Sequence, residues 1–467
     1  MLWRSRSVEL PAVWVLTLWL TAAAFGQSPN GLMDPRAFGF DIPPGAIQPP
    51  DGERVITPDI DGSPVVAKTQ VKVGAARIVM LPDGQLVARK AHEAEATERP
   101  FKPISKDKLI ERMQAAEFKG FKVKQSKSYV YLYSTSDLFA DGTYKILESM
   151  LPGMKKWVDQ QKLTSHEPEV PLVVIMFRTE ADFQRYRRMP DGVVAYYDTL
   201  SNRVVMFEES DRFGGRRDLA IQQAISTIAH EGTHQILHNI GVQQRLSVWP
   251  MWISEGLAEF LAPTEVSKSL KWKGAAQVND LRMFELEQYV KARGAEAPNG
   301  DTVKSTVLAA RLTSTGYASA WSLTHYLATK KKSEFSKYLL EVAKIGPLQG
   351  SIEISKPGVV LGNATAFEKL FGNKYDDLEK KLIQHLQKLP YDDPFASQPH
   401  FVAMVSYLEG KKPRREVGTF HSPTAARKWL SEKREKSNAV AAGEAVVRDF
   451  PNRPTAETFA KTWLRGN

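Results

Sequence analysis

The 467-residue chain contains no cysteine. That one absence excludes disulfides, thiolate metal ligands, a cysteine nucleophile and a lipidated N-terminal cysteine, leaving stability to packing and to any metal held by nitrogen and oxygen. Internal repeats and a glycine-rich phosphate loop are also missing, and beyond the N-terminal stretch no apolar run is long enough to span a bilayer. Apolar residues are not scarce: at 42% hydrophobic content this length supports two or three folded units. The formal net charge of +10 favours anionic surfaces without identifying a partner, and no nucleic-acid partner is expected. Part of the excess is local, because the stretch from Ala396 holds thirteen basic residues against seven acidic ones.

The chain opens with Arg4 and Arg6, follows with an apolar run from Ala12 to Phe25, and then offers Ala24 and Gly26 at a cleavage position. Residues 1–26 read as a secretory signal peptide, the alternative being an uncleaved anchor. The reading implies a periplasmic or extracellular mature protein beginning at Gln27, with no transmembrane segment after cleavage. Prolines and glycines over 27–64 (Pro43-Pro44, Pro49-Pro50, Asp51-Gly52) predict an extended linker. Residues 65–116 predict a small β-rich accessory unit with a hairpin at Asp83-Gly84 and a helix from Lys106 to Ala116.

From Phe121 the pattern predicts a larger α+β unit, bounded as 117–390. Strands are expected at Phe121–Val123 and Ser128–Tyr133, and a helix at Thr143–Leu151 interrupted by Pro152. A buried strand follows at Leu172–Phe177, then a helix capped by Thr179 and a hairpin pairing Val193–Tyr197 with Arg203–Phe207. Beyond residue 260 the text is helical to Leu389. Residues 398–467 predict a small basic α/β module with two strands and two helices. It is faintly similar to modules that bind cell-envelope peptidoglycan, while Lys411, Lys412, Arg414 and Arg415 also fit a plain solvated turn.

The chemistry concentrates between Ile221 and Leu261. His230-Glu231-Gly232-Thr233-His234 is an H-E-x-x-H sequence, which arises by chance in on the order of one sequence in a hundred of this composition. On a helix, positions four apart stack one turn above another, so both imidazoles can share one metal ion with Glu231 beside them. A catalytic zinc takes three protein ligands and leaves one position open. His238, a further turn along the helix, lies more than about 5 Å away by helical pitch and cannot close around the same ion. Leu237 and Ile240 stand where a metzincin needs glycine and a third histidine. Glu255 is left, on a segment that Pro250 can open as a helix, and Glu259 one turn on could accept a hydrogen bond from a ligating imidazole.

His230, Glu231, His234, Glu255 and the surrounding W-x-x-E-G-x-A-E text resemble the gluzincins of the peptidase-MA clan, and more closely a group of secreted bacterial gluzincin-like proteins. The resemblance implies a zincin-like catalytic domain: a mixed-sheet lobe, the H-E-x-x-H helix and a helical C-terminal lobe. It implies Zn2+ held by His230, His234 and Glu255, with Glu231 as general base and Glu259 as the acidic partner behind a histidine. A tyrosine or histidine of the helical lobe often stabilises the oxyanion in that family. Tyr317 matches its place best, with His325 in reserve and a packing role as the plain alternative. Zincin sites also tend to offer an edge strand to an extended substrate, and Arg203–Phe207 is the candidate, though an interior strand fits the same text. Two departures are visible: glutamate replaces the thermolysin-like aspartate at Glu259, and no G-x-M-E-N stretch is present. The second argues against aminopeptidase specificity. The expected activity is hydrolysis of a peptide or protein substrate. The competing expectation is a non-catalytic secreted binding or assembly protein on a metal-stabilised fold, engaging the cell envelope through its C-terminal module.

Overall fold

The computed structural model describes residues 33–49, 51–209, 217–265, 270–293, 298–350, 354–356, 359–360, 362–409, 412–436 and 445–466. The signal-peptide reading over 1–26 and Lys411 lie outside the described residues. The chain is mixed α+β and divides into two compact units, one up to Leu389 and one from Pro390.

The first unit begins with an antiparallel sheet of β1 (Ile47–Gln48), β2 (Arg54–Pro58), β3 (Pro64–Val73), β4 (Ala76–Met80), β5 (Leu86–Arg89) and β6 (Glu95–Ala96), in the order β5-β4-β3-β2-β6 with β1 on β3. Asp83-Gly84 turns the β4–β5 hairpin as expected, with Gly84 at φ +88. The stretch 27–64 is not a linker in its described part. Asp34 caps a 3-10 turn at Pro35–Phe38, and Met33, Ala37, Phe38, Phe40 and Ile42 are buried against β3 and β4. Proline and glycine break periodicity, but apolar anchors between them still drive burial.

The β-rich region is likewise not a separate accessory body. Val170, Leu246 and Leu348 share its core, the Leu86 amide donates to the Leu200 carbonyl at 2.8 Å, and the buried Arg245 donates to the Gly84 carbonyl at 2.5 Å. Arg112, in α1 (Lys106–Ala115), joins the same junction by pairing with Asp59 and Asp83.

A second sheet contains β7 (Lys122–Gln125), β8 (Tyr129–Tyr133), β9 (Leu172–Thr179), β10 (Ala195–Asp198) and β11 (Arg203–Glu209) in the order β10-β11-β9-β8-β7. The apolar run of β9 takes the centre, parallel to both neighbours, as a strand buried on two faces should. Arg203–Phe207 is therefore interior, between β10 and β9, and the sheet edge near the motif helix is β10. The crossover α2 (Asp137–Gln160) starts at a Ser136 cap and runs unbroken through Pro152, longer than predicted. A proline inside a helix costs about 3 kcal/mol. Burial of Leu147, Met150, Met154, Trp157 and Val158 on one face outweighs it. Thr179 caps α3 (Glu180–Tyr186) as read, accepting from the Asp182 amide at 3.2 Å.

The motif helix α4 (Arg217–Asn239) packs on α2 and β10, and α5 (Met251–Leu261) packs on α4. Two short ribbons, β12 (Thr264–Glu265) with β13 (Lys271–Trp272) and β14 (Ile354–Lys356) with β15 (Val359–Val360), accompany the helices α6 (Asp280–Arg293), α7 (Asp301–Leu308), α8 (Ser314–Lys330), α9 (Lys332–Val342), α10 (Gly362–Phe371) and α11 (Tyr375–Leu386). Gly256 allows α5 to lie close on α8, because a Cβ there would sit 2.8 Å from the Ala320 carbonyl.

The second unit is an antiparallel sheet in the order β17-β16-β18, made of β16 (His400–Glu409), β17 (Lys412–Phe420) and β18 (Ala445–Phe450), with α12 (Pro423–Lys436) and α13 (Arg453–Arg465). Its core joins Val402 and Met404 to Ala456 and Ala460. The third strand was not anticipated from sequence. No described helix in either unit is long and apolar enough to cross a membrane.

Candidate metal centre

α4 carries His230 and His234 one turn apart, and α5 brings Glu255 to them. His230 Nε2 lies 3.1 Å from Glu255 Oε2 and 3.2 Å from His234 Nε2, and His234 Nε2 lies 3.6 Å from the same carboxylate oxygen. All three residues are buried. Ligand atoms about 2.0–2.1 Å from a tetrahedral ion such as zinc stand about 3.3–3.4 Å apart, so this spacing fits a single ion held by three protein donors. The donor set suits it too, since two imidazole lone pairs and a carboxylate oxygen converge on one point where neutral histidines alone would face lone pair to lone pair.

Behind the triad, Glu259 sits one turn along α5. Its Oε1 is 3.0 Å from His230 Nδ1 and accepts from Arg282 at 2.6 Å, while Oε2 accepts from Asn279 Nδ2 at 3.0 Å. A carboxylate on Nδ1 keeps the proton there and leaves Nε2 free to face an ion. Burial disfavours a charged His230, but Glu259 and Glu255 outweigh it and hold the metal-free imidazole up to about 10. Burial would raise the Glu255 carboxyl, and the facing imidazoles instead lower it. Glu259 likewise ends at about 2, burial being overcome by Arg282 and then His230.

Glu231 is fully buried and asymmetrically satisfied. The Tyr197 amide donates to Oε2 at 2.7 Å, and Oε1 has no hydrogen-bond partner. Burial pushes its carboxyl up, against His230 and His234. Tyr197 belongs to the edge strand β10, so the outward-facing amide of that edge holds the glutamate.

Tyr317, near the start of α8, comes to the centre: its ring is 6.2 Å from that of His230, and the Arg282 guanidinium lies 5.4 Å over its face. Burial, then Glu255, keeps the phenol well above its ordinary range and therefore protonated. The reserve residue His325 is not at the centre. It faces His385 at 3.0 Å and packs on Phe260 and Trp321, because eight residues along α8 turn it toward the helical core. His238 also stays out of the triad. It stacks on Tyr197, faces the Gln243 carbonyl at 3.1 Å, and is pushed by burial to about 3, hence neutral.

Asn279, Arg282 and the Tyr197 amide were not found by sequence reasoning. The first two sit about twenty residues beyond Glu259 with no spacing rule to connect them, and a backbone donor leaves no mark in a sequence.

Residues 224–349 match a family model described as a protein of unknown function (DUF1570). The match takes in the H-E-x-x-H sequence, Glu255, Glu259, Arg282 and Tyr317. No curated protein matches the chain.

Proposed function

We propose that the chain is an exported zinc-dependent peptidase of gluzincin type, with the sheet containing β10, the motif helix and the following helices forming a zincin arrangement. The observation that carries the reading is the pairing of a three-residue buried ligand set with a buried glutamate whose second oxygen is unengaged. A purely structural zinc site has four protein ligands and no use for such a base.

Held by His230, His234 and Glu255, zinc would supply a Lewis acid that acidifies water and polarises a carbonyl. Glu231, fixed through Oε2 by the Tyr197 amide, takes the proton of the attacking water on Oε1 and passes it to the leaving amine. Its raised affinity for protons suits both halves of that transfer. Tyr317 donates from its protonated phenol to the oxyanion as charge develops on the substrate carbonyl. Glu259, itself clamped by Arg282 and Asn279, orients His230.

The test is elemental analysis with a matched pair of proteins. Wild type should hold about one zinc and cleave peptides in a proteome-derived library. Glu231→Gln should hold the same zinc and cleave nothing, since an amide cannot accept the proton. Undiminished cleavage by that variant would remove the mechanism.

A further inference from the structure

Two turns along α4 from the centre lies a small, partly open cleft of about 30 Å³ between the N-terminal end of α2, the β10 edge and the first half of α4. Phe139, Val194, Ala195, Met206, Phe207 and Ile228 make most of its wall apolar. Gln223 breaks that pattern. It is 7% exposed, and neither its amide nitrogen nor its amide oxygen has a hydrogen-bond partner. Leaving both buried costs a few kcal/mol that a leucine would not incur. Glu208, the other polar wall group of note, is already engaged by the backbone and hydroxyl of Ser136.

The position of the cleft relates it to the centre. Gln223 precedes His230 by seven residues, two helical turns, so it lies on the same side of α4 about 10 Å away. On β10, Tyr197 turns its amide to Glu231, and Ala195, two residues earlier, presents its backbone in the same direction and lines the cleft. An extended chain laid along that edge advances about 3.3 Å per residue, so a side chain two or three residues from the reacting carbonyl falls over Gln223.

We infer that this cleft is a side-chain subsite that selects a primary carboxamide, asparagine or glutamine, two or three residues from the scissile bond. The inference rests on the peptidase reading above. Gln223 offers one donor and one acceptor side by side, and another carboxamide satisfies both while its methylene stem meets the apolar wall. An apolar side chain leaves the amide unsatisfied, and a carboxylate meets Glu208.

The experiment uses the zinc-loaded full chain and short peptide hydroxamates, whose hydroxamate anchors at the metal whether or not any substrate is known. The probes carry glutamine, norleucine or homoserine at the second or third residue, in both chain directions, and calorimetry reads binding. Wild type should prefer glutamine over norleucine by roughly tenfold to a hundredfold at one position. Gln223→Leu should erase or reverse that preference, and Gln223→Met should do the same, which guards against one variant folding poorly. Zinc-dependent binding with no glutamine preference, or a preference unchanged in both variants, overturns the subsite and leaves the peptidase reading standing. Homoserine bound as tightly as glutamine overturns the carboxamide assignment. Failure of every hydroxamate to bind overturns both readings.

Discussion

Replacing Glu259 tests whether the centre is assembled as the geometry indicates. The carboxylate faces His230 Nδ1 at 3.0 Å, Arg282 at 2.6 Å and Asn279 at 3.0 Å, in a place that is 1% exposed. Glu259→Ala removes the group that fixes the His230 tautomer, and losses of this kind lower metal affinity about 10–100-fold, or about 1.4–2.7 kcal/mol. It also leaves Arg282 buried with one carboxylate partner instead of two, since Glu285 remains at 2.8 Å. The fold should therefore lose less than the 3–5 kcal/mol typical of a wholly abandoned buried charge. Glu255→Ala removes a ligand itself and should cost zinc more than Glu259→Ala does. Competition against a chelator gives both affinities, and thermal unfolding with and without zinc separates metal loss from fold loss. If Glu259→Ala proved the more damaging to zinc affinity, ligand and support would be one helical turn apart from their assignment here. Wild-type affinity in that variant would show that His230 needs no orienting partner.

Tyr317→Phe should lower kcat about a hundredfold with little change in KM, because the phenol acts only as charge develops; steady-state kinetics beside His325→Ala, which should act through stability alone, checks it. The metal-free protein should become less stable as pH rises from about 6.5 toward 10. His230 is held up to about 10 in the fold against about 6.5 unfolded, so its contribution is complete below about 6.5 and lost as pH approaches 10. Denaturant titrations across that range should show the decline, and zinc-saturated protein should lack it. Gly256→Ala would press a Cβ onto the Ala320 carbonyl at 2.8 Å and should cost about 1–3 kcal/mol of stability by forcing α5 off α8, read as a lowered Tm.

The three buried residues that could hold a metal were legible in sequence because their geometry is local. Helical periodicity alone puts His230, Glu231 and His234 on one surface, and the next helix in the chain carries Glu255 and Glu259 at a spacing that repeats one turn. The central position of Leu172–Phe177 was legible for a similar reason, since an unbroken apolar run only fits a strand covered on both faces. Other features depended on which distant segments meet. Whether Arg203–Phe207 or Ala195–Asp198 forms the edge turns on the strand order β10-β11-β9, which neither strand's own residues reveal. Residues 33–42 lost their reading as linker because Val71, Ile78 and Leu348 supply apolar surface to bury them, information absent from the segment itself. Pro152 predicts a break by its missing amide, yet burial along α2 carries the helix through it. The Tyr197 amide, Asn279 and Arg282 reach the centre only when β10 and α6 pack beside it. Local spacing thus singled out the residues that could hold a metal, while the partners around them, and the edge and cleft nearby, were decided by tertiary packing, because those contacts join residues that no short-range period relates.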